Sequence, residues 1–176
     1  MNIDPPDARL LDALARRLGP RGFTTDPDEI APWTVDWRGR VQGAAAAMLS
    51  PATREEVADV VRMAADAGCA IVPQGGNTSM VAGATPMPGS LLLSLRRMRT
   101  IRSISAEDNL VVAEAGVILS DLHAAAAAVG RRFPLSLAAK GSATVGGLIA
   151  TNAGGTQVLR FGTMRAQVTG IEAVMP

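Results

Sequence analysis

Apolar positions recur at helical spacing near the start of the chain. Leu10, Leu11, Leu14 and Leu18 fall on one face of a helix over 8–18, because residues three and four apart lie above one another. Gly19-Pro20 then stops it. Asp4, Asp7 and Asp12 among these leucines make the segment amphipathic, unlike the apolar run of a signal peptide. Residues 23–43 mix Pro, Asp, Gly and both tryptophans and read as an irregular arm.

A regular alternation of elements begins near residue 44. The apolar run 45–49 predicts a short strand ended by Ser50-Pro51. Thr53 and Glu56 have the T-x-x-E spacing of a capping box, which satisfies two free amides at a helix start. Val57, Val60, Val61 and Ala64 form the apolar stripe of that helix, and Gly68 ends it. Residues 70–72 predict a strand, so 44–72 reads as a strand–helix–strand unit. Further strands are expected at 91–95, 100–105 and 110–114. An alanine-rich helix at 120–129 closes at Gly130, a short helix falls at 145–150, and 168–175 alternates as a strand does. A boundary is expected near 105, dividing the chain into 1–43, 44–105 and 106–176.

Composition narrows the function. The 176 residues are 48% hydrophobic, enough for a packed core. Aromatics are only 3%, with no Tyr, so glycine and alanine must provide the close packing. The formal net charge of +1 gives no clustered basic surface for nucleic acid. A single cysteine excludes a disulfide framework and a cysteine-based zinc site within the chain. No stretch approaches the ~20 apolar residues that span a bilayer, so a cytoplasmic location is the default expectation.

Two glycine segments carry the candidate chemistry. Pro73-Gln74-Gly75-Gly76-Asn77-Thr78-Ser79 follows directly on a strand. Adjacent glycines allow successive amides to point into one concavity, a nest for an anion. No Lys or Arg lies between Arg62 and Arg96, so a phosphate here would be held by dipoles and hydroxyls. A plain strand-to-loop turn accounts for the glycine pair equally well. The second segment runs from Lys140 through Gly141, Ser142, Thr144, Gly146 and Gly147 to Asn152 and Gly155. Five glycines fall within 141–155, a density that ordinary helix packing does not need, since each costs about 1 kcal/mol relative to Ala within a helix. A helix starting near Thr144 would offer free amides to an anion, and Gly146 and Gly147 would let a planar group or a second backbone approach. Small-residue packing is the competing reading.

Known nucleotide signatures are absent: there is no G-x-x-x-x-G-K-[ST], no G-x-G-x-x-G after the first strand and no G-x-S-x-G. His123 reads as a half-buried helix residue, Cys69 as an inert buried thiol, and Trp33 and Trp37 as anchors of the arm. Arg38 and Arg40 stand near Asp36 and read as local ion pairs, while Arg160 and Arg165 flank Phe161-Gly162.

Together the segments resemble one family. PQGGNTSMVAG at 73–83, AKGSATVGGLIATNAGG at 139–155 and LRFGTMRAQVTGIEAV at 159–174 are similar to the FAD-binding (PCMH-type) domain of the vanillyl-alcohol-oxidase-like flavoproteins. Within it they are most like the D-2-hydroxyacid branch, the D-2-hydroxyglutarate and D-lactate dehydrogenases and the glycolate oxidase FAD subunit. DWRGR at 36–40 and SPATREEVADVV at 50–61 fit as well. The resemblance implies an α+β, two-subdomain FAD-binding PCMH-type fold with the second subdomain truncated, and an enzyme that oxidises a D-2-hydroxy acid by hydride transfer to flavin. It places Gly75, Gly76, Asn77, Thr78 and Ser79 on the FAD pyrophosphate through their backbone amides, and counts Pro73, Gln74 and Gly83 among the cofactor-binding residues. Gly141, Ser142, Gly146, Gly147, Asn152 and Gly155 would line the middle and flavin side, and a strand over 170–174 would pass the adenine end.

Two positions depart from the pattern: Ser79 and Ala82 stand where relatives usually have glycine. Relatives with a covalent flavin would carry a histidine within 73–79; none is here, so non-covalent FAD is expected. Catalytic and metal residues belong to a substrate domain downstream, through which the 2-hydroxyacid would bind, and none is assigned in this chain. A sheet cut at its edge predicts homo-oligomerisation or aggregation. The alternatives are a non-catalytic flavin- or nucleotide-binding module and a ligand-free truncated fragment.

Overall fold

The structure is a computed structural model and describes residues 5–176; Asp4, counted above among the N-terminal acids, lies outside them. The chain divides into two compact units. One runs through Arg97 and takes in Ala173–Pro176; the other is Met98–Glu172. The division falls ahead of the strand at 101–105 rather than near 105, because that strand pairs only with the one that follows it.

In the first unit, α1 spans Ala8–Leu18. Asp7 caps it by accepting from the Leu10 N–H at 2.8 Å, which satisfies one of the free donors at the helix start. Leu10, Leu14 and Leu18 are its buried face, and Gly19 ends it with φ 66. The arm is more ordered than its composition suggests. It contains β1 (Phe23–Thr24) and α2 (Pro27–Thr34), whose start is set by Asp26 as cap and Pro27 in the first turn. The strands β2 (Ala47–Leu49), β3 (Ile71–Gln74) and β4 (Leu91–Ser94) complete a four-stranded sheet ordered β1-β2-β4-β3. β1 is antiparallel to β2, and β4 runs parallel to both its neighbours. Its three leucines are buried, as expected of a central strand covered on both faces.

Helix α3 (Arg54–Asp66) links β2 to β3. Thr53 Oγ1 accepts from the Glu56 N–H at 3.1 Å, and the Glu56 carboxylate accepts from Ala52 N–H at 2.6 Å. The predicted capping box therefore forms with its return bond one residue earlier. Val60 and Ala64 are buried while Val57 and Val61 are half-buried. Gly68 follows at φ 63. The core of this unit joins α1, α3, β2 and β4 through Leu14, Leu49, Val60 and Leu91, all fully buried.

The second unit opens with the hairpin β5 (Ile101–Ser105) and β6 (Leu110–Ala113). Then come α4 (Leu119–Ala128), α5 (Val145–Ala150), the short α6 (Val158–Phe161) and a 3-10 turn at Met164–Gln167. Val117, Leu119, Leu122, Leu135 and Leu148 form its core. The expected strand over 168–175, with its adenine-facing part at 170–174, does not form: among the described residues no strand pairs with it. Alternation is a necessary sign of a strand, but a strand also needs a partner for its main-chain groups.

Candidate functional site

The first glycine segment begins inside the sheet. Pro73 and Gln74 are the last two residues of β3, and Gly75, Gly76, Asn77, Thr78 and Ser79 leave the C-terminal end of that strand as a loop. All five loop residues are half-buried. Their main-chain N–H groups donate no hydrogen bond to any described protein atom. The five amides are half-buried and unpaired, which leaves them open to an acceptor. An anion with several oxygens, such as a diphosphate, supplies one. The residues thus fit the group that the family resemblance implies.

The loop's shape comes from an asparagine rather than from the glycine pair. Asn77 is the left-handed residue, at φ 52, a conformation that asparagine tolerates better than most residues. Its side chain is engaged: Nδ2 donates to the Val35 carbonyl at 2.8 Å. Gln74 is buried, and its Nε2 donates to the carbonyls of Trp33 and Ala84, each at 2.9 Å. Its Oε1 has no partner. Ser79 Oγ accepts from Val81 N–H at 3.3 Å. Farther along, Ala82 is left-handed at φ 56, and Gly83 is exposed with open space where a Cβ would stand.

The arm beside this loop is organised by Asp36. Its buried carboxylate accepts main-chain N–H groups from Val41, Arg40 and Arg38 at 2.6, 2.6 and 3.2 Å. These bonds, Val41's first, hold the carboxyl below its ordinary range. Asp36 therefore shapes a turn, where ion pairs with Arg38 and Arg40 were expected. The tryptophans divide: Arg96 stacks over the Trp33 ring at 3.9 Å, while Trp37 is 61% exposed and anchors nothing.

The second glycine segment behaves differently. Thr144 caps α5, as its position predicts, with Oγ1 accepting from Gly147 N–H at 3.4 Å. The amides that the helix start should leave free are already used. Val145 N–H donates to the Val117 carbonyl at 2.9 Å, and Gly146 N–H to the Ala115 carbonyl at 2.8 Å. The expectation of an anion-binding helix start is corrected on this ground: the turn that follows β6, over 115–117, takes the donors. Gly146 is pressed against that turn, where a Cβ would lie 2.7 Å from the Ala115 Cβ. Gly155 has the same constraint against residue 136, its Cβ meeting the Ser136 carbonyl oxygen at 2.4 Å. Asn152 closes α5 in the left-handed region at φ 48, and its Oδ1 accepts from Arg165 N–H at 3.0 Å. Lys140, Gly141 and Ser142 are exposed, and Gly141 has open space around it. Gly147 meets only its own cap hydroxyl, at 3.3 Å.

The remaining single residues are structural. His123 Nε2 lies 2.8 Å from the Leu135 carbonyl. Cys69 is half-buried rather than buried, and desolvation raises its thiol pKa. The signal that sequence reading missed is the arm, whose carbonyls at 33 and 35 meet the loop. Contacts across some forty residues leave no local trace in composition.

Comparison with known proteins bears on the family and the fold. The family model described as the FAD binding domain matches residues 45–176. The D-2-hydroxyglutarate dehydrogenase of Bos taurus is 40% identical over 163 residues, 93% of this chain and 30% of that protein. A putative D-lactate dehydrogenase of Schizosaccharomyces pombe is 35% identical over 170 residues, 97% of this chain and 31% of that protein. The chain thus spans about a third of the length of these curated relatives. Among solved structures, alkyldihydroxyacetonephosphate synthase superposes with TM-score 0.84 at 20% identity, over 96% of this chain and 33% of that one. p-Cresol methylhydroxylase superposes with TM-score 0.72 at 20% identity, over 87% and 32%. These likenesses show the PCMH-type fold.

The expected cytoplasmic location does not stand. Relatives from Bos taurus, Schizosaccharomyces pombe, Rattus norvegicus and Oryza sativa subsp. indica are named mitochondrial, which contradicts it. Among the described residues no helix is long and apolar enough to cross a membrane, a property that does not separate one aqueous compartment from another. With three quarters of its length under the family model, and with its motifs in order on a matching fold, the chain belongs to the FAD binding domain family.

Proposed function

We propose that this chain is the FAD-holding part of a flavin-dependent dehydrogenase of D-2-hydroxy acids, of the D-lactate, D-2-hydroxyglutarate or glycolate type. The observation that carries the reading is the half-buried row of five unpaired amides at 75–79. Those amides hold the FAD diphosphate, and Gly75 and Gly76 bring no Cβ between N–H and phosphate oxygen. With no Lys or Arg between Arg62 and Arg96, the diphosphate charge is met by main-chain dipoles. Gly83, in the same unit, belongs to this proposal, and the family resemblance alone assigns Gly141, Ser142, Gly147 and Asn152 of the second unit to cofactor binding. Gly146 and Gly155 serve it indirectly, by the close backbone approaches they permit. No histidine occurs in the loop, so FAD is held non-covalently.

FAD, when bound, supplies the acceptor for the hydride that leaves the substrate's C2. The share of this chain is to bind and orient the cofactor. The relatives named D-2-hydroxyglutarate and D-lactate dehydrogenase support the substrate class. We place the substrate contacts outside the described residues, and homo-oligomerisation belongs to the same proposal.

Gly76→Val tests it. A branched side chain placed in the amide row should weaken FAD binding at least tenfold in a titration followed by flavin fluorescence. A variant that binds FAD as tightly as the parent contradicts the assignment of the loop.

A further inference from the structure

The loop with the unpaired amides is tied at two points to one short stretch of chain. Gln74 Nε2 donates to the Trp33 carbonyl at 2.9 Å, and Asn77 Nδ2 donates to the Val35 carbonyl at 2.8 Å. Two side-chain amides, three residues apart, thus grip alternate carbonyls of a segment some forty residues earlier. Gln74 also donates to the Ala84 carbonyl at 2.9 Å, so it closes the far end of the loop as well. The orientation of its amide is forced. Both partners are carbonyls, which only accept, so the nitrogen must face them. The consequence is a buried Oε1 without a donor, an arrangement that native structures seldom keep without a reason.

The gripped segment is itself held in shape. Asp36 N–H donates to the Val41 carbonyl at 3.0 Å, and Gly43 N–H to the Thr34 carbonyl at 2.7 Å. Gln42 Nε2 adds a bond to Thr34 Oγ1 at 3.0 Å. This arm precedes residue 45, where the family match begins.

We propose that Gln74 and Asn77 are positioning residues that couple the arm over 33–43 to the diphosphate loop, so that FAD binding and arm docking stabilise each other. The inference rests on the assignment of the loop to FAD made above. Coupling of this kind is reciprocal: if the docked arm tightens FAD, then FAD must tighten the arm by the same factor.

Reciprocity gives a test that a merely structural role would not satisfy. Arg38 and Arg40 are exposed in the arm and are cleavable by trypsin. In the full chain, FAD should slow cleavage at these two arginines by roughly tenfold, a coupling of ordinary size. Gln74→Met keeps the side-chain volume and removes both donors. Asn77→Gly keeps access to the left-handed conformation and removes only the tie. Each variant should bind FAD roughly tenfold more weakly and lose the FAD-dependent protection of Arg38 and Arg40. If Asn77→Gly binds FAD as the parent does, with protection intact, Asn77 serves only its backbone angle and the coupling is overturned. FAD bound by the parent without protecting the arm overturns the coupling while leaving the loop assignment in place. Failure of the parent to bind FAD at all overturns both.

Discussion

Ala82 occupies the left-handed region at φ 56, where a Cβ crowds the following carbonyl at a cost of about 1–2 kcal/mol. This is one of the two positions where the family resemblance implies glycine, and the left-handed angle is one that suits glycine. Ala82→Gly should stabilise the protein by about 1 kcal/mol, the relief of strain outweighing the added freedom of the unfolded chain. Urea unfolding checks this; a loss of stability would mean that the backbone at 82 is not strained. Asparagines take the same conformation at 77, 109 and 152. The glycine pair at 75–76 drew attention to the loop, yet the residue that bends it is Asn77. Its left-handed angle could not be read from the sequence, because asparagine adopts that region only where context imposes it.

Elements whose cause is local were legible. The leucine spacing gave α1, Thr53 and Glu56 placed the start of α3, and Thr144 placed that of α5. Elements hidden by mixed composition were not: α2 carries Asp26 and Pro27 at its start, but Pro32 within it masks the helical pattern. The fate of the α5 amides was also illegible, since their acceptors at Val117 and Ala115 come from a stretch some thirty residues earlier. That finding changes what Gly146 is for. Gly146→Ala should destabilise the second unit by about 1–3 kcal/mol, as overpacking does, because a Cβ there meets Ala115 at 2.7 Å. Thermal unfolding, read alongside FAD titration, separates the roles. Lost stability supports backbone packing, whereas unchanged stability with lost FAD binding would return Gly146 to direct cofactor contact.

At the scale of the molecule, the order of motifs was enough to indicate the fold, since three segments in family-like order constrain topology more than any one spacing does. Pairing partners were not indicated. β4, late in the first unit, inserts between β2 and β3, and the stretch over 168–175 alternates without joining a sheet. Nor did the two glycine segments announce their different employment: one keeps its amides unpaired, the other spends them within its own unit. The most direct measurement is amide hydrogen exchange across the full chain with and without FAD. The account predicts that residues 75–79 exchange freely in the apoprotein and become protected when FAD binds, while 145–147 are protected throughout. Protection gained at 145–147, with exchange at 75–79 unchanged, would contradict it.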